Sequence, residues 1–145
     1  MNYINMANFT YFIRERVKLN GVERGTNVEI RIPGINHADS RVMNIPSGSL
    51  TEVINVDNLP GAGQFVSSSI KYARVTNFAS SSINLQVSGS TGELNFLVTG
   101  SGSFIFSSEF VSETFNDGFL YGDLKSIKAS PIDPDATIGY FIALT

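Results

Sequence analysis

The chain has 145 residues, with ten Lys and Arg against thirteen Asp and Glu, a single His and no Cys. This length supports one domain with a short arm, and the absence of Cys excludes disulfides, thiol catalysis, zinc–cysteine sites and iron–sulfur clusters. The net charge of −3 gives no overall reason to bind nucleic acid, and 16% charged residues with many Ser, Thr, Asn and Gly are typical of a turn-rich all-β protein.

The N-terminal segment, residues 1–17, is predicted to form an arm or an edge strand. It is rich in large apolar side chains and contains no Gly or Pro. Such a terminus must pair with a sheet or pack on something, either in its own domain or on a neighbouring subunit. In the second case the expected contacts are aromatic anchors with arginines at the rim. These contact residues are Tyr3, Phe9, Tyr11, Phe12, Arg14 and Arg16.

Residues 18–145 are predicted to form a single antiparallel β-sandwich, jelly-roll-like, with about eight to ten strands. Alternation of apolar and polar residues indicates half-buried strands, because successive side chains of a strand point to opposite faces. The alternating runs are 28–32, 83–87, 94–98, 104–106 and 138–144, and less regular apolar runs lie at about 9–17, 50–56, 65–76 and 119–128.

Turn sequences separate these runs at the spacing expected of short strands. The turns are Pro33-Gly34, Pro46-Ser47-Gly48, Pro60-Gly61-Ala62-Gly63, Gly89-Ser90-Thr91-Gly92, Gly100-Ser101-Gly102 and Asp117-Gly118. The stretch Ile83–Phe106 is predicted to be a three-stranded meander with two short loops. At most one short helix is expected, near 108–116, where Phe110, Val111 and Phe115 share one face.

Charge is uneven along the chain. Residues 1–74 carry eight basic and six acidic groups, whereas residues 75–145 carry two basic and seven acidic groups. A solvated strand face is one interpretation of the basic cluster near the N-terminus. The other is that the basic end of one subunit meets the acidic end of a neighbour, because complementary potentials favour register in assemblies.

The sequence offers little for catalysis, so no enzyme activity, cofactor or metal site is predicted. His37 follows the Pro33-Gly34 turn and is expected to be an exposed loop residue, and the chain has no G-x-S-x-G motif. Asp133-Pro134-Asp135 and Asn116-Asp117-Gly118 hold oxygen donors that suit calcium, but both are also ordinary turn sequences. The glycine-rich loops lack the Lys and the helix of a phosphate site.

The aromatic and apolar residues bear on the binding of glycans, nucleic acid and membranes. The chain has five Tyr and no Trp, and Tyr72, Tyr121 and Tyr140 lie in strand-like runs where an aromatic residue is typical of a core or an interface. A glycan platform therefore stays the alternative, and binding of nucleic acid or membrane is not expected. The first residues show no signal peptide, which predicts synthesis in the cytoplasm.

The second half of the chain carries a pattern of strands and turns. A strand with a tyrosine and an asparagine, Ser69–Asn77, is followed by an alternating strand, Ile83–Val87, a glycine-led aromatic strand, Gly102–Phe106, and a closing strand, Asp135–Leu144. Over residues 65–145 this pattern resembles small β-sandwich virion proteins of tailed bacteriophages.

The resemblance implies a non-enzymatic structural role within the virion. The expected part is a head decoration or cement subunit, a fibre, a connector or a tail component. Such a subunit acts as a homo-oligomer and through other virion proteins. The alternative is a carbohydrate-binding or receptor-binding adhesin module of β-sandwich type.

Overall fold

The computed structural model describes residues 7–56, 70–90, 92–107 and 124–145. In this part the chain is all-β, with 73% of the residues in strands and no helix. The predicted helix near 108–116, the predicted turns at 60–63 and 117–118, and Tyr3 lie outside the described residues. The described strands are β1 (Ala7–Arg14), β2 (Val17–Leu19), β3 (Val22–Arg24), β4 (Asn27–Ile35), β5 (His37–Ile45), β6 (Thr51–Asn55), β7 (Ile70–Asn77), β8 (Ile83–Gly89), β9 (Glu93–Val98), β10 (Ser103–Ser107), β11 (Leu124–Pro131) and β12 (Ala136–Leu144).

The chain divides into two compact units, Met1–Asn36 and His37–Thr145. The predicted border lay between residues 17 and 18, whereas the observed division follows Asn36. Strands β2, β3 and β4 therefore belong to the N-terminal unit, together with β1.

The N-terminal unit contains one long antiparallel hairpin, called the ribbon below (residues 7–35). Strand β1 pairs with β4 and strand β2 pairs with β3. The Glu15 backbone N–H donates to the Thr26 carbonyl at 2.9 Å and links the two pairs. The turn at Asn20-Gly21 has positive φ at both residues, 52° and 78°, which is the type I′ geometry that suits the twist of paired strands.

The turn predicted at Pro33-Gly34 is wrong, because both residues lie inside β4. Gly34 has a φ of +74°, and the β1–β4 pairing shifts between Ala7 and Phe9. The two residues therefore form a β-bulge, a place in a strand where proline is tolerated.

The C-terminal unit is a β-sandwich, and the prediction of an antiparallel, jelly-roll-like sandwich is confirmed. Its described strands form two four-stranded sheets, in the orders β10-β7-β12-β5 and β6-β11-β8-β9, and every pair is antiparallel. Counted from β5 as the first, the orders are 6-3-8-1 and 2-7-4-5, which is the interleaved order of a jelly roll.

Two local predictions in this unit are wrong. The meander over Ile83–Phe106 fails at its third strand, because β8 pairs with β9 but β10 pairs with β7 in the other sheet. Alternation shows which side of a strand is apolar, but it does not show which sheet the strand joins, because the apolar sides of both sheets face the same interior. His37 does not lie in a loop: it is the half-buried first residue of β5, opposite Leu144.

The core lies between the two sheets. It draws mainly aliphatic side chains from each of the strands β5–β12, and β9 contributes Val98. Its fully buried members include Ile45, Leu85, Ile127, Ile138 and Ile142. Their neighbours along each strand point to the outer face of the sheet, as the period of two requires.

Four described loops meet at one end of the sandwich, called the loop end below: 46–50, 78–82, 99–102 and 132–135. The Ser47 backbone N–H donates to Asp135 Oδ1 at 2.8 Å and ties the first loop to the last. The buried side chain of Asn77 ties the two others, because its Nδ2 group donates to the Ser81 and Thr99 carbonyls at 2.7 and 3.2 Å. These hydrogen bonds hold the four loops of the loop end together.

Candidate subunit contact surfaces

One face of the ribbon is apolar along its length. Cross-strand neighbours point to the same side of a sheet, and the apolar pairs are Phe9 with Ile32, Tyr11 with Ile30, and Ile13 with Val28. Ile32 is fully buried, whereas Ile13 and Val28 at the other end of the face are exposed. A two-stranded hairpin is marginally stable by itself, so this face gains stability wherever it is covered.

The predicted contact residues are split between the two faces of the ribbon. The rings of Phe9 and Tyr11 stack on the apolar face, with centroids 5.7 Å apart. Phe12 and Arg14 lie on the opposite face, where Phe12 is 73% exposed. Those of the predicted contact residues that lie in β1 therefore do not form one surface, because neighbouring positions of a strand point to opposite sides.

Sequence reasoning missed the apolar end of the ribbon, called the hairpin tip below (residues 16–24). Val17, Leu19 and Val22 are each 54% or 55% exposed there. Arg16, a predicted rim residue, lies at this tip in an exposed ion pair with Glu23, with 2.7 Å between Nη2 and Oε1. The Asn20-Gly21 dipeptide between two short apolar runs was the signal for this hairpin.

The two outer faces of the sandwich differ in chemistry. Outward positions of the β6-β11-β8-β9 sheet are mainly polar, as at Asn84, Gln86 and Ser88. The other sheet carries an apolar set, in which the rings of Tyr72 and Phe141 meet edge to face at 6.1 Å. Its further outward members are Val42, Ile105 and Ala143, of which Val42 and Ile105 are exposed.

Strand β9 is an exposed edge of its sheet. Leu94, Phe96 and Leu97 are all exposed, and the Phe96 ring lies 5.0 Å from the ring of Phe104. Proteins protect edge strands with Lys, Pro or a covering element, and β9 contains neither Lys nor Pro. The edge is therefore suited to contact with another chain.

The described residues hold no group of three or more His, Cys, Asp or Glu side chains that could bind a metal ion. Of the two loops considered for calcium, 116–118 lies outside the described part. In the other loop, Asp135 uses Oδ1 to accept the Ser47 N–H.

A small polar cluster of Tyr140, Asp39 and Arg41 links two strands beside the core. The partly buried Tyr140 hydroxyl donates to Asp39 Oδ2 at 2.7 Å, and Arg41 Nε lies 3.4 Å from the same oxygen. Burial, followed by the hydrogen bond to Asp39, raises the pKa of Tyr140 to about 12. The hydroxyl thus keeps its proton at neutral pH and acts as a donor that anchors β5 to β12.

The described tyrosines among those considered for a glycan platform are not available as a surface. Tyr72 and Tyr140 are buried, and Tyr121 lies outside the described residues. A shallow depression of about 280 Å³ lies beside an exposed aromatic residue, Phe78, whose ring packs over Gly139. Its other lining residues are Ser40, Arg41, Val42, Arg74 and Tyr140.

Comparison of the chain with protein-family models, with curated proteins and with solved structures gives no match. Within the described ranges, no helix has the length and apolar character needed to span a membrane.

Proposed function

We propose that the chain is a non-enzymatic structural subunit of a virus particle, acting through contacts between its own copies and with other virion proteins. The observation that carries this proposal is the apolar exposure of the ribbon. Monomeric soluble proteins rarely expose contiguous apolar patches, and large patches mark interaction sites. The exposed large hydrophobic residues of the ribbon are Phe12, Ile13, Val17, Leu19, Val22 and Val28.

The amount of apolar surface exposed on the two faces of the ribbon predicts how the subunits assemble. These six side chains are between 42% and 73% exposed, so burying the exposed part of each contributes roughly 1 kcal/mol to the free energy of association. The total of roughly 6 kcal/mol lies near the lower end of the cost of association, about 4–15 kcal/mol. Ribbon contacts alone thus give a weak pair, and a stable assembly needs several contacts per subunit.

The sandwich supports the same proposal. Viral capsid proteins and lectins both use the jelly-roll order of strands, so the fold suits a virion subunit and equally suits a glycan-binding module. The exposed apolar edge β9 and the outward residues Val42 and Ile105 favour protein contacts. These surfaces supply the additional contacts that a stable assembly requires.

Sedimentation velocity of the purified chain, with mass spectrometry of purified virus particles, tests the proposal. We expect association that increases with concentration, and peptides of the chain among the structural proteins of the particles. Replacing Phe12 and Val28 by Ser should weaken association, whereas Gln86→Ser on the polar outer face should leave it unchanged. A chain that stays monomeric and is absent from particles would contradict the proposal.

The depression beside Phe78 favours a second candidate, a carbohydrate-binding or receptor-binding adhesin module. An exposed aromatic ring provides a stacking surface for a sugar, and the neighbouring guanidinium groups of Arg41 and Arg74 donate hydrogen bonds to hydroxyl or carboxylate groups. A glycan array tests this candidate. Binding that is lost in Phe78→Ala supports it, and an array without signal rejects it.

A further inference from the structure

Strand β9 carries a row of backbone groups that no other described strand pairs. It lies at the edge of its sheet, with β8 as its described neighbour. The Gly89 N–H donates to the Gly92 carbonyl at 2.8 Å where the β8–β9 ladder begins. Bonded and non-bonded pairs alternate in an antiparallel ladder, so every second residue after Gly92 bonds to β8. The backbone N–H and C=O groups of the residues between them point away from β8, and these residues are Glu93, Asn95 and Leu97.

The open side of β9 fits an extended strand, because a row of backbone N–H and C=O groups pairs with another strand added at the edge. Two other edge strands are protected by charged side chains, β5 by Asp39 and Arg41 and β6 by Glu52. Strand β10, the remaining edge, is uncharged. It lies on the same side of the sandwich as β9, because the rings of Phe96 and Phe104 meet there. The unprotected side thus presents strand edges of both sheets together.

We propose that β9 pairs antiparallel with β9 of a second copy, about a two-fold axis at Asn95. In this register Asn95 lies opposite Asn95 of the second copy, and Glu93 and Leu97 lie opposite each other. These pairs join residues whose backbone groups point outward on both strands, which gives about six hydrogen bonds. The pairs between them bring Leu94 of one copy beside Phe96 of the other. The exposed parts of these side chains, 43% and 39%, then pack against each other.

The pattern of outward groups selects this register. A shift of one residue opposes outward groups to groups that are already bonded to β8, so the pairing is lost. With Leu94 or Phe96 on the axis, one of the outward residues finds its partner only beyond the end of β9. All of them pair within the strand when Asn95 is on the axis.

Charge permits two identical β9 strands to meet. Glu93 is the single charged residue of the strand. Because Glu93 lies opposite Leu97 in the proposed register, the two Glu93 side chains are separated along the strands by about 14 Å. This separation exceeds the Debye length of about 8 Å at physiological ionic strength, so the two carboxylates repel each other only weakly.

This inference rests on the proposed function, because it requires that the chain associate with its own copies. Two identical strands paired about a two-fold axis form an isologous contact, which closes a dimer. An edge of six residues is smaller than the standard interface of about 800 Å² per partner. The β9 contact therefore adds to the contacts of the ribbon and does not replace them.

Disulfide capture tests the pairing, because the chain has no Cys of its own. Asn95→Cys places a thiol opposite its own copy, with about 5.5 Å between the Cα atoms, which a disulfide spans. The matched control is Gln86→Cys, which lies opposite Asn95 on β8. Its Cα atom is three strand spacings, about 14 Å, from that of the second copy, too far for a disulfide. Copper phenanthroline is the oxidant, and circular dichroism checks that each variant is folded.

We expect Asn95→Cys to form a covalent dimer at least tenfold faster than Gln86→Cys. A mixture of Glu93→Cys and Leu97→Cys should also link, whereas neither of these variants should link with itself. In sedimentation velocity, Asn95→Lys should weaken association at least tenfold, because two like charges then meet on the axis. An equal mixture with Asn95→Glu should restore the association.

The outcomes separate the inference from the proposed function. Equal capture of Asn95→Cys and Gln86→Cys, in a chain that associates, overturns the β9 contact and leaves association between copies intact. Linking of Asn95→Cys only with Leu97→Cys places Phe96 on the axis and overturns the register. A wild-type chain that is monomeric up to about 1 mM overturns the inference, because contacts weaker than this do not build particles unaided. Its absence from purified particles overturns the proposed function as well.

Discussion

Replacing Asn77 by Asp tests how the core holds the loop end together. Asn77 is fully buried, and its Nδ2 group faces the carbonyl oxygens of Ser81, Thr99 and Val98 at 2.7, 3.2 and 3.3 Å. Its Oδ1 accepts the backbone N–H of Ala79 at 3.0 Å. The substitution keeps the size of the side chain and replaces the donor by an oxygen that faces three other oxygens.

The expected loss of stability is large at neutral pH. A buried charge without a compensating partner costs about 3–5 kcal/mol. Protonation of the new carboxyl restores one donor, so the folded state should raise its pKa above the ordinary value of about 3.9. The variant's deficit relative to the wild type should therefore be smallest below about pH 3.9 and should grow as pH rises through the folded-state pKa.

Urea denaturation of the full chain between pH 3.5 and pH 7 (about the range spanned by a raised carboxyl pKa) measures this deficit. Asn84→Asp is the matched control, because the same chemical change then occurs at an exposed, outward position of β8. Surface substitutions of this kind usually change stability by less than about 0.5 kcal/mol. Equal losses for the two variants at pH 7, or a deficit that does not depend on pH, would refute the reasoning.

Two further predictions concern an ionisable group and a close approach of the backbone. The raised pKa of Tyr140, about 12 against an ordinary 10.0, means that the folded state resists its ionisation, so stability is unaffected by this group below pH 10 and falls as pH rises from 10 through 12. The loss on ionisation is on the order of 3 kcal/mol, so Tyr140→Phe should flatten the alkaline fall in unfolding free energy, and an unchanged fall would contradict this account. Gly25 has a φ of +133°, and a Cβ there would overlap the carbonyl oxygen of Glu15. Gly25→Ala should therefore cost the ribbon at least about 2 kcal/mol, seen as faster amide exchange in β1–β4, while Gly21→Ala in open space costs about 1 kcal/mol. Similar exchange rates in the two glycine variants would show that the overlap is relieved without cost.

Only part of the contact surfaces could be predicted from the sequence. The apolar character of residues 9–12 was evident, and it indicated a segment that needs cover. Its division into a face with Phe9 and Tyr11 and a face with Phe12 depends on the pairing of β1 with β4. The loop end was hidden for the same reason, because its loops are far apart in the chain and meet only when eight strands interleave.

Strand β5 shows a different limit. Its residues His37–Ile45 alternate weakly, because β5 is an edge strand with most side chains exposed. An edge strand is held in place by hydrogen bonds to its neighbour, here β12, more than by burial of one face. Hydrophobic periodicity, which reports burial, therefore does not detect it.

The sequence by itself determined the fold class and the inward faces of the regular strands. Runs such as Val28–Ile32 and Ile83–Val87 alternate with a period of two, and that period follows from local backbone geometry in any sheet. Only the tertiary structure decided which strands pair, as when β10 joins β7 instead of β9. Pairing depends on packing between residues distant in the chain, and the apolar pattern of one strand fits several partners equally well. The surfaces proposed for assembly arise from that choice.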